Sequence, residues 1–300
     1  MGKKGVEEQH SQTALFAALY RAIACKEFSD ERFGPDHMAE LFLPPLFRFL
    51  IKFRFIRNKI LIKSTKLTPG IYEYMIARTA FFDKAFKEAL IQDIPQIVLL
   101  GAGYDTRVYR FSGPGNSTRI IELDIETTQR RKMKCILKAG IDIPKNMTLA
   151  PMDFNRDSFE SVLEKAGYDK NLKTVFIWEG VSYYLDPKSV DSTLAFVTHY
   201  SHNESVIAFD YTITITEANI DNYHGAKEFA ETWKKHRENE SFRFSVDEGQ
   251  IESFLEQRGL KPLSHLDNQE IEQAFLKRDN GSLIGRITGG FRFVTASHKS

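Results

Sequence analysis

The sequence predicts an α/β chain: a seven-stranded, mostly parallel sheet with helices on both faces and a helical cap at its N-terminal end. Three observations carry this. From about Ser11 to Leu90 apolar residues recur at helical spacing, and nothing before Gln96 reads as a strand. From Gln96 onward, short apolar or β-branched runs alternate with segments long enough for a helix. Two further strand-like runs lie near the C-terminus.

The N-terminal helices are marked by Leu15, Leu19, Ala22 and Ile23 on one face. Five strands follow at Ile97–Leu100, Ile120–Leu123, Met147–Ala150, Thr174–Trp178 and Ser205–Phe209. Their near-continuous apolar character fits parallel strands buried on both faces. Ser245 with Glu248 has the form of a capping box that opens one more helix, and Gly259 is placed to end it. Lys261–Leu266 and Phe291–Ala296 complete the strand set, and a short loop between them would make that pair antiparallel. No linker separates the parts, so residues 1–300 are expected to form one domain. Within it, residues 1–90 form a cap or lid and residues 91–300 a ligand-binding core with an insertion at 212–244.

Composition narrows the function classes. With 41 basic and 40 acidic side chains the formal charge is +1, which provides no overall field for gathering nucleic acid. Two cysteines, Cys25 and Cys135, are too few for a disulfide framework and point to a reducing, cytoplasmic setting. No apolar run reaches the length of a membrane span. The 24 Phe, 11 Tyr and 2 Trp exceed what a generic core requires.

Open α/β sheets bind ligands at the carboxyl ends of their strands. The first strand runs into Gly101-Ala102-Gly103-Tyr104-Asp105-Thr106-Arg107, where two glycines allow a tight turn and close approach to a ligand. The second ends in Glu122-Leu123-Asp124, at the distance where an acid accepts from the ribose hydroxyls of an adenosine-containing cofactor. The third fingerprint position holds Thr106 where a pyrophosphate-binding loop requires Gly, so the loop matches NAD or FAD poorly. S-adenosylmethionine, a nucleoside without phosphates, suits it. The third strand ends in Asp153-Phe154, an acid and a ring that suit an adenine, although Asp153 also reads as a simple helix cap. The fourth ends in Glu179-Gly180, with Glu179 placed to meet the amino group or sulfonium of a methionine moiety.

With these residues in view the chain resembles the leucine carboxyl methyltransferase family, which includes the protein phosphatase methyltransferases. The resemblance rests on the segment Tyr72-Glu73-Tyr74-Met75-Ile76-Ala77-Arg78-Thr79-Ala80-Phe81-Phe82-Asp83, on Leu100 to Arg107, and on Glu122-Leu123-Asp124, Asp153-Phe154 and Glu179-Gly180. It implies a class I methyltransferase-like (Rossmann-like) fold and S-adenosylmethionine as cofactor. By the same resemblance Arg78 binds the methionine carboxylate, Gly101 lies against that moiety and Asp124 takes the ribose. Asp153 and Phe154 then frame the adenine, with Glu179 near the methionine end. Phe154 stands where the family often has Leu. The substrate is not implied, because the family varies there.

The expected activity is O-methyl transfer to a carboxylate or hydroxyl of a small-molecule or carrier-bound acceptor. The alternatives are a nicotinamide-dependent oxidoreductase and a cofactor-binding protein without turnover. A carboxylate acceptor is already ionised at neutral pH and needs no general base. A hydroxyl acceptor needs one, for which Glu179, Tyr184 and His224 are candidates. Between Arg48 and Lys66 seven basic residues and no acid are interleaved with Phe and Ile. The segment reads as a lid over the site in preference to a membrane-surface helix. His199 and His202 read as residues at a helix C-terminus in preference to metal ligands. Tyr211, Tyr223, His224, Phe229 and Trp233 around the 212–244 insertion are candidate acceptor contacts or the core of a helix pair.

Overall fold

A computed structural model describes residues 6–28, 30, 32–113, 115–236 and 242–299, with backbone alone for 6–12 and 235–236. The N-terminal part is helical: α1 (Val6–Glu27), a 3₁₀ turn (Ala39–Phe42), α2 (Pro45–Leu50), α3 (Arg54–Leu67) and α4 (Ile71–Ile91). Residues Pro44 and Pro45 open α2, where a missing amide hydrogen costs nothing. Along α4, Tyr74, Arg78 and Phe82 recur every fourth residue on one buried face.

The strands are β1 (Gln96–Leu100), β2 (Arg119–Asp124), β3 (Met147–Pro151), β4 (Thr174–Trp178), β5 (Val206–Thr212), β6 (Leu260–Leu266) and β7 (Phe291–His298). They form one sheet in the order β3-β2-β1-β4-β5-β7-β6, with β7 antiparallel to both of its neighbours and the first five strands parallel. Alternate residues of the parallel strands enter opposite cores. Ile97 and Leu99 pack with α4, and Val98 and Leu100 pack on the other face with Trp178, Leu194 and Phe209. Burial on both faces is why these strands read as continuous apolar runs. The chain steps from β1 outward through β2 to β3, then returns to place β4 on the other side of β1. This reversal opens a crevice at the carboxyl ends of β1 and β4.

Between the strands lie α5 (Arg107–Phe111), α6 (Glu126–Lys138), α7 (Phe159–Lys165), α8 (Pro187–His199), α9 (Ala226–His236), α10 (Ile251–Glu256) and α11 (Asn268–Phe275). Two local expectations are corrected. The Ser245–Glu248 capping box does not form: α10 begins after Gln250, and Glu248 instead meets the Tyr223 hydroxyl and Arg292, the latter at 3.1 Å. Ser245 pairs with Thr214 at 2.9 Å. That helix ends at Glu256 with Gln257 as its C-cap, and the left-handed Gly259 follows in the turn that leads into β6. Likewise, β6 and β7 are antiparallel as expected, but their connection carries α11 and is not a short loop. An Asp267–Glu270 capping box starts that helix.

One ion pair joins sheet to helix where water does not reach. Lys132 of α6 and Glu122 of β2 are both fully buried, with the ammonium 2.9 and 2.7 Å from the two carboxylate oxygens. Burial pushes the Glu122 carboxyl above its ordinary value even against Lys132. The folded state therefore binds a proton that the unfolded chain has already released, and the Glu122 contribution to stability is lost as pH rises above the ordinary carboxyl range. Lys132→Met, which leaves the acid without its cation, is expected to cost ~3–5 kcal/mol near pH 8. The deficit should be smaller at pH 5 than at pH 8, because the raised carboxyl is the more easily protonated and then leaves no stranded charge. Urea unfolding at both pH values checks this, and an equal deficit at both would show that Glu122 carries no buried charge.

Candidate functional site

A cavity of about 220 Å³ opens at the carboxyl ends of β1 and β4, in the crevice set by the strand order. All the expected site residues line it: Arg78, Gly101, Gly103, Asp124, Asp153, Phe154 and Glu179. Their placement follows from the fold. Four consecutive strands end at this edge, and α4 passes behind it so that Arg78 reaches the same space.

After β1 the chain turns through Gly101 and Gly103, both in the left-handed region that favours glycine. A Cβ on Gly101 would lie 2.5 Å from Val181 Cγ2 in the loop after β4, so the two loops pack without room for a side chain. Asp124, at the end of β2, accepts from the Gly103 amide at 2.6 Å and from the Ile125 amide at 2.7 Å. These bonds fix the carboxylate against the glycine turn and facing the cavity. Asp153 follows β3 and accepts from the Asn155 amide at 2.9 Å, while Phe154 packs edge-on against Phe159. The helix cap that follows is Ser158, not Asp153.

Glu179 is held from two sides. Arg78 Nε donates to it at 3.0 Å and Arg107 Nη1 lies 2.7 Å from its other oxygen. Arg107 is itself fully buried and also bonds Asp83 at 2.8 Å and the Asp105 carboxylate. Behind Arg78 lies Asp210 of β5, which accepts from the Gly180 amide at 2.6 Å and from the Tyr74 hydroxyl. Burial raises the Asp210 carboxyl, and burial together with the charge of Asp210 pushes the Tyr74 and Tyr183 phenols well above their ordinary values. Both phenols therefore keep their protons at neutral pH.

Reading the sequence by strand ends misses several of these residues. Arg107, Asp83 and Asp105 belong to motifs already singled out, yet their mutual pairing shows only in three dimensions. Gly180 leaves space for the guanidinium of Arg78, since a Cβ there would lie 2.8 Å from Nη1. The cap over the glycine turn is α1, whose Thr13, Ala14, Phe16, Ala17 and Arg21 line the cavity. Arg21 fastens it by donating to the Tyr104 carbonyl at 2.7 Å. The lid reading of 48–66 is corrected accordingly, since none of its residues lines the cavity. Its helix α3 packs instead against α4 and α9.

Beyond Glu179 the cavity is walled by Tyr183, Tyr184, Phe229, Trp233, Phe242 and Phe291, with Arg243 beside them. Phe229 and Trp233 are stacked 5.0 Å apart on α9, so the insertion both forms a helix and walls the pocket. The other candidate contacts fall elsewhere. Tyr211 bonds His265 at 3.0 Å, Tyr223 bonds Glu248, and His224 does not line the cavity. His199 lies in the last turn of α8.

With this geometry established, comparison with known proteins decides the family. The profile of the leucine carboxyl methyltransferase family matches residues 14–198. The chain belongs to the leucine carboxyl methyltransferase family. YktD of Bacillus subtilis (strain 168), described as an S-adenosyl-L-methionine-dependent methyltransferase, is 30% identical over 217 residues, covering 71% of this chain and 69% of YktD. A similarly described protein of Mycolicibacterium smegmatis is 28% identical over 228 residues, covering 74% of this chain and 73% of its own length. In fold, the chain is similar to the crystal structure of a protein from Thermobifida fusca described as a methyltransferase. That likeness has a TM-score of 0.56 and 15% identity over 83% of this chain and 90% of that one. The matched residues include Arg78 and Asp83 of α4 and Asp105-Thr106-Arg107 after β1, the stretches whose side chains meet at Arg107. The oxidoreductase alternative gains no support. The helix after the glycine turn is the five-residue α5, too short to supply the N-terminal field that a dinucleotide pyrophosphate uses.

Gly180→Ala would place a side chain on a left-handed backbone, against the Arg78 guanidinium. We expect a loss of about 1–2 kcal/mol from the backbone alone, with Arg78 displaced from Glu179. Chemical denaturation measures the first effect, and unchanged stability would mean that this loop adopts another conformation.

Proposed function

We propose that the chain is an O-methyltransferase that moves the methyl group of S-adenosylmethionine to an oxygen of an apolar, anionic acceptor, with a carboxylate as the favoured nucleophile. Family membership and the sequence relatives carry the coarser statement, methyl transfer dependent on S-adenosylmethionine. The observation that carries the finer one is the aromatic chamber beyond Glu179, with Arg243 at its side and no histidine among the described residues that line it.

The residues fit the cofactor. The turn at Gly101 and Gly103 leaves backbone, not side chain, at the cavity wall, and Asp124 is held where it can accept from a ribose diol. Arg78 would take the methionine carboxylate, using guanidinium donors not engaged by Glu179. Glu179 would stand near the methionine amino group, and Asp153 with Phe154 would frame the adenine. When bound, S-adenosylmethionine supplies an electrophilic methyl group on a positively charged sulfur.

The remaining work is positioning. Tyr184, Phe229, Trp233 and Phe242 supply apolar walls that exclude water and press the acceptor forward, which is where most of the acceleration in such displacements originates. Arg243 is held by its amide on the Tyr183 carbonyl at 2.8 Å, and its guanidinium lies 3.4 Å from Asp186. It can orient an anionic group by exchanging that exposed partner. An ionised carboxylate needs no proton removed. This matches a chamber whose phenol Tyr183 stays protonated and whose Glu179 is occupied by two arginines.

Three outcomes test this reading. Asp124→Ala should weaken S-adenosylmethionine binding at least ~10-fold in calorimetry with the fold retained, because a charged hydrogen-bond acceptor is removed. Unchanged affinity would contradict the ribose assignment. Trp233→Ala should raise the acceptor KM while leaving cofactor affinity unchanged. Incubation with methyl-labelled S-adenosylmethionine and metabolite extracts, followed by mild alkali, should release label as methanol from an ester. Label stable to alkali would move the acceptor to a hydroxyl, and absence of turnover would leave a binding protein.

A further inference from the structure

The segment that does not cover the site has its own surface. On α2, α3 and the turn between them, Leu46, Phe47, Phe49, Phe53, Phe55 and Ile62 are each between 42% and 67% exposed. Three of the rings touch one another: Phe49 meets Phe53 at 5.3 Å and Phe53 meets Phe55 at 5.9 Å. Isolated exposed apolar residues are ordinary, but a contiguous cluster of aromatic rings held in water is not. Around it stand Lys52, Arg54, Lys59, Lys63 and Lys66, all exposed, with Lys59 lying 6.0 Å from the Phe55 ring. No acid occurs from Arg48 to Lys66. Arg48, at the start of the segment, lies 3.6 Å from Glu40, which Lys26 also meets at 2.5 Å. The remaining cation of the segment, Arg57, is turned inward to Glu27 and to the carbonyls of Ile51 and Lys52, where it braces α3.

We propose that this face is a docking surface for an anionic lipid bilayer, with the phenylalanines entering the acyl boundary and the lysines meeting the headgroups. Charge complementarity selects the occupant. A second copy docked face to face would bring two sets of exposed cations together. A lipid surface accepts both the apolar cluster and the charge around it, and contacts of this kind strengthen with anionic lipid and weaken with salt. The C-terminal end of α3, which carries Lys63 and Lys66 of this face, meets the helix that walls the acceptor chamber. Thr232 of α9 donates to the Leu67 carbonyl at the end of α3, at 2.5 Å, and the next residue on α9 is the chamber wall Trp233. Docking would thus set the aromatic chamber close to a bilayer, a source of apolar acids.

The test uses the full chain and does not depend on methyl transfer, so its failure is distinct from failure of the functional reading. Vesicles of phosphatidylcholine alone and of phosphatidylcholine with phosphatidylglycerol are sedimented with the protein at low and high salt. The proposal expects binding to the anionic vesicles only, reduced by salt. It expects a loss of at least about ten-fold in Phe47→Ser/Phe49→Ser/Phe55→Ser and in Lys52→Glu/Lys59→Glu/Lys63→Glu. All six positions are exposed, and circular dichroism confirms that each variant is folded. Absence of binding by the parent chain overturns the proposal, as does binding that both variants retain. So does a dimer that the Phe variant dissolves, which would make the face a self-interface. Binding to polyglutamate but not to vesicles would assign the face to an acidic protein.

Discussion

The arrangement depends most on the buried guanidinium of Arg107. It bonds Asp83 at the far end of the α4 motif, Asp105 in the glycine turn after β1, and Glu179 at the end of β4. Three separate stretches of chain are thereby held at one point, from which Asp105 and Glu179 line the cavity. A guanidinium at this depth is tolerable only because carboxylates surround it, and removing any one of them would leave charge stranded where water cannot compensate. Arg110 extends the cluster, reaching Asp83 at 2.7 Å and Asp36 at 3.7 Å, and Arg21 joins Asp36 at 3.2 Å. The cap helix α1 is tied to the same network.

This explains the division of labour among the charges. Glu179 reaches the cavity together with Asp105 and Arg21, and Arg107 and Arg78 fix its two oxygens. Positioning of that kind is what an in-line displacement requires, because the reacting atoms must be aligned and solvent kept out. The aromatic excess of the composition has a corresponding place. Much of it is core, in the α4–β7 stack where Tyr74 lies 4.0 Å from Phe291 and Phe81 lies 4.7 Å from Phe293. A second share walls the cavity beyond Glu179, and a third stands in solvent on α2 and α3.

The parallel strands were legible because double-sided burial leaves continuous apolar runs, and the strand ends were legible because cavity-lining Gly and Asp interrupt those runs. Arg78 was legible only through family resemblance, since nothing in its helical spacing separates it from a surface arginine. Arg107, Gly180 and Asp210 were missed as site residues for a different reason. Each matters through a partner more than 20 positions away, and no local pattern records such pairings. The Ser245–Glu248 box failed because a local motif was outcompeted: Tyr223 and Arg292 offer Glu248 better partners than the helix end does. The basic segment was misplaced because a lid and a surface helix share one spacing, and only packing distinguishes them.

The most direct test is a crystal structure of the chain with S-adenosylhomocysteine, the demethylated form of the cofactor. The ribose is expected on Asp124, the amino-acid carboxylate on Arg78, and the sulfur facing the chamber of Tyr183, Phe229 and Trp233. A ligand seated outside this crevice, or seated in it with its ribose away from Asp124, would contradict the assignment of the site.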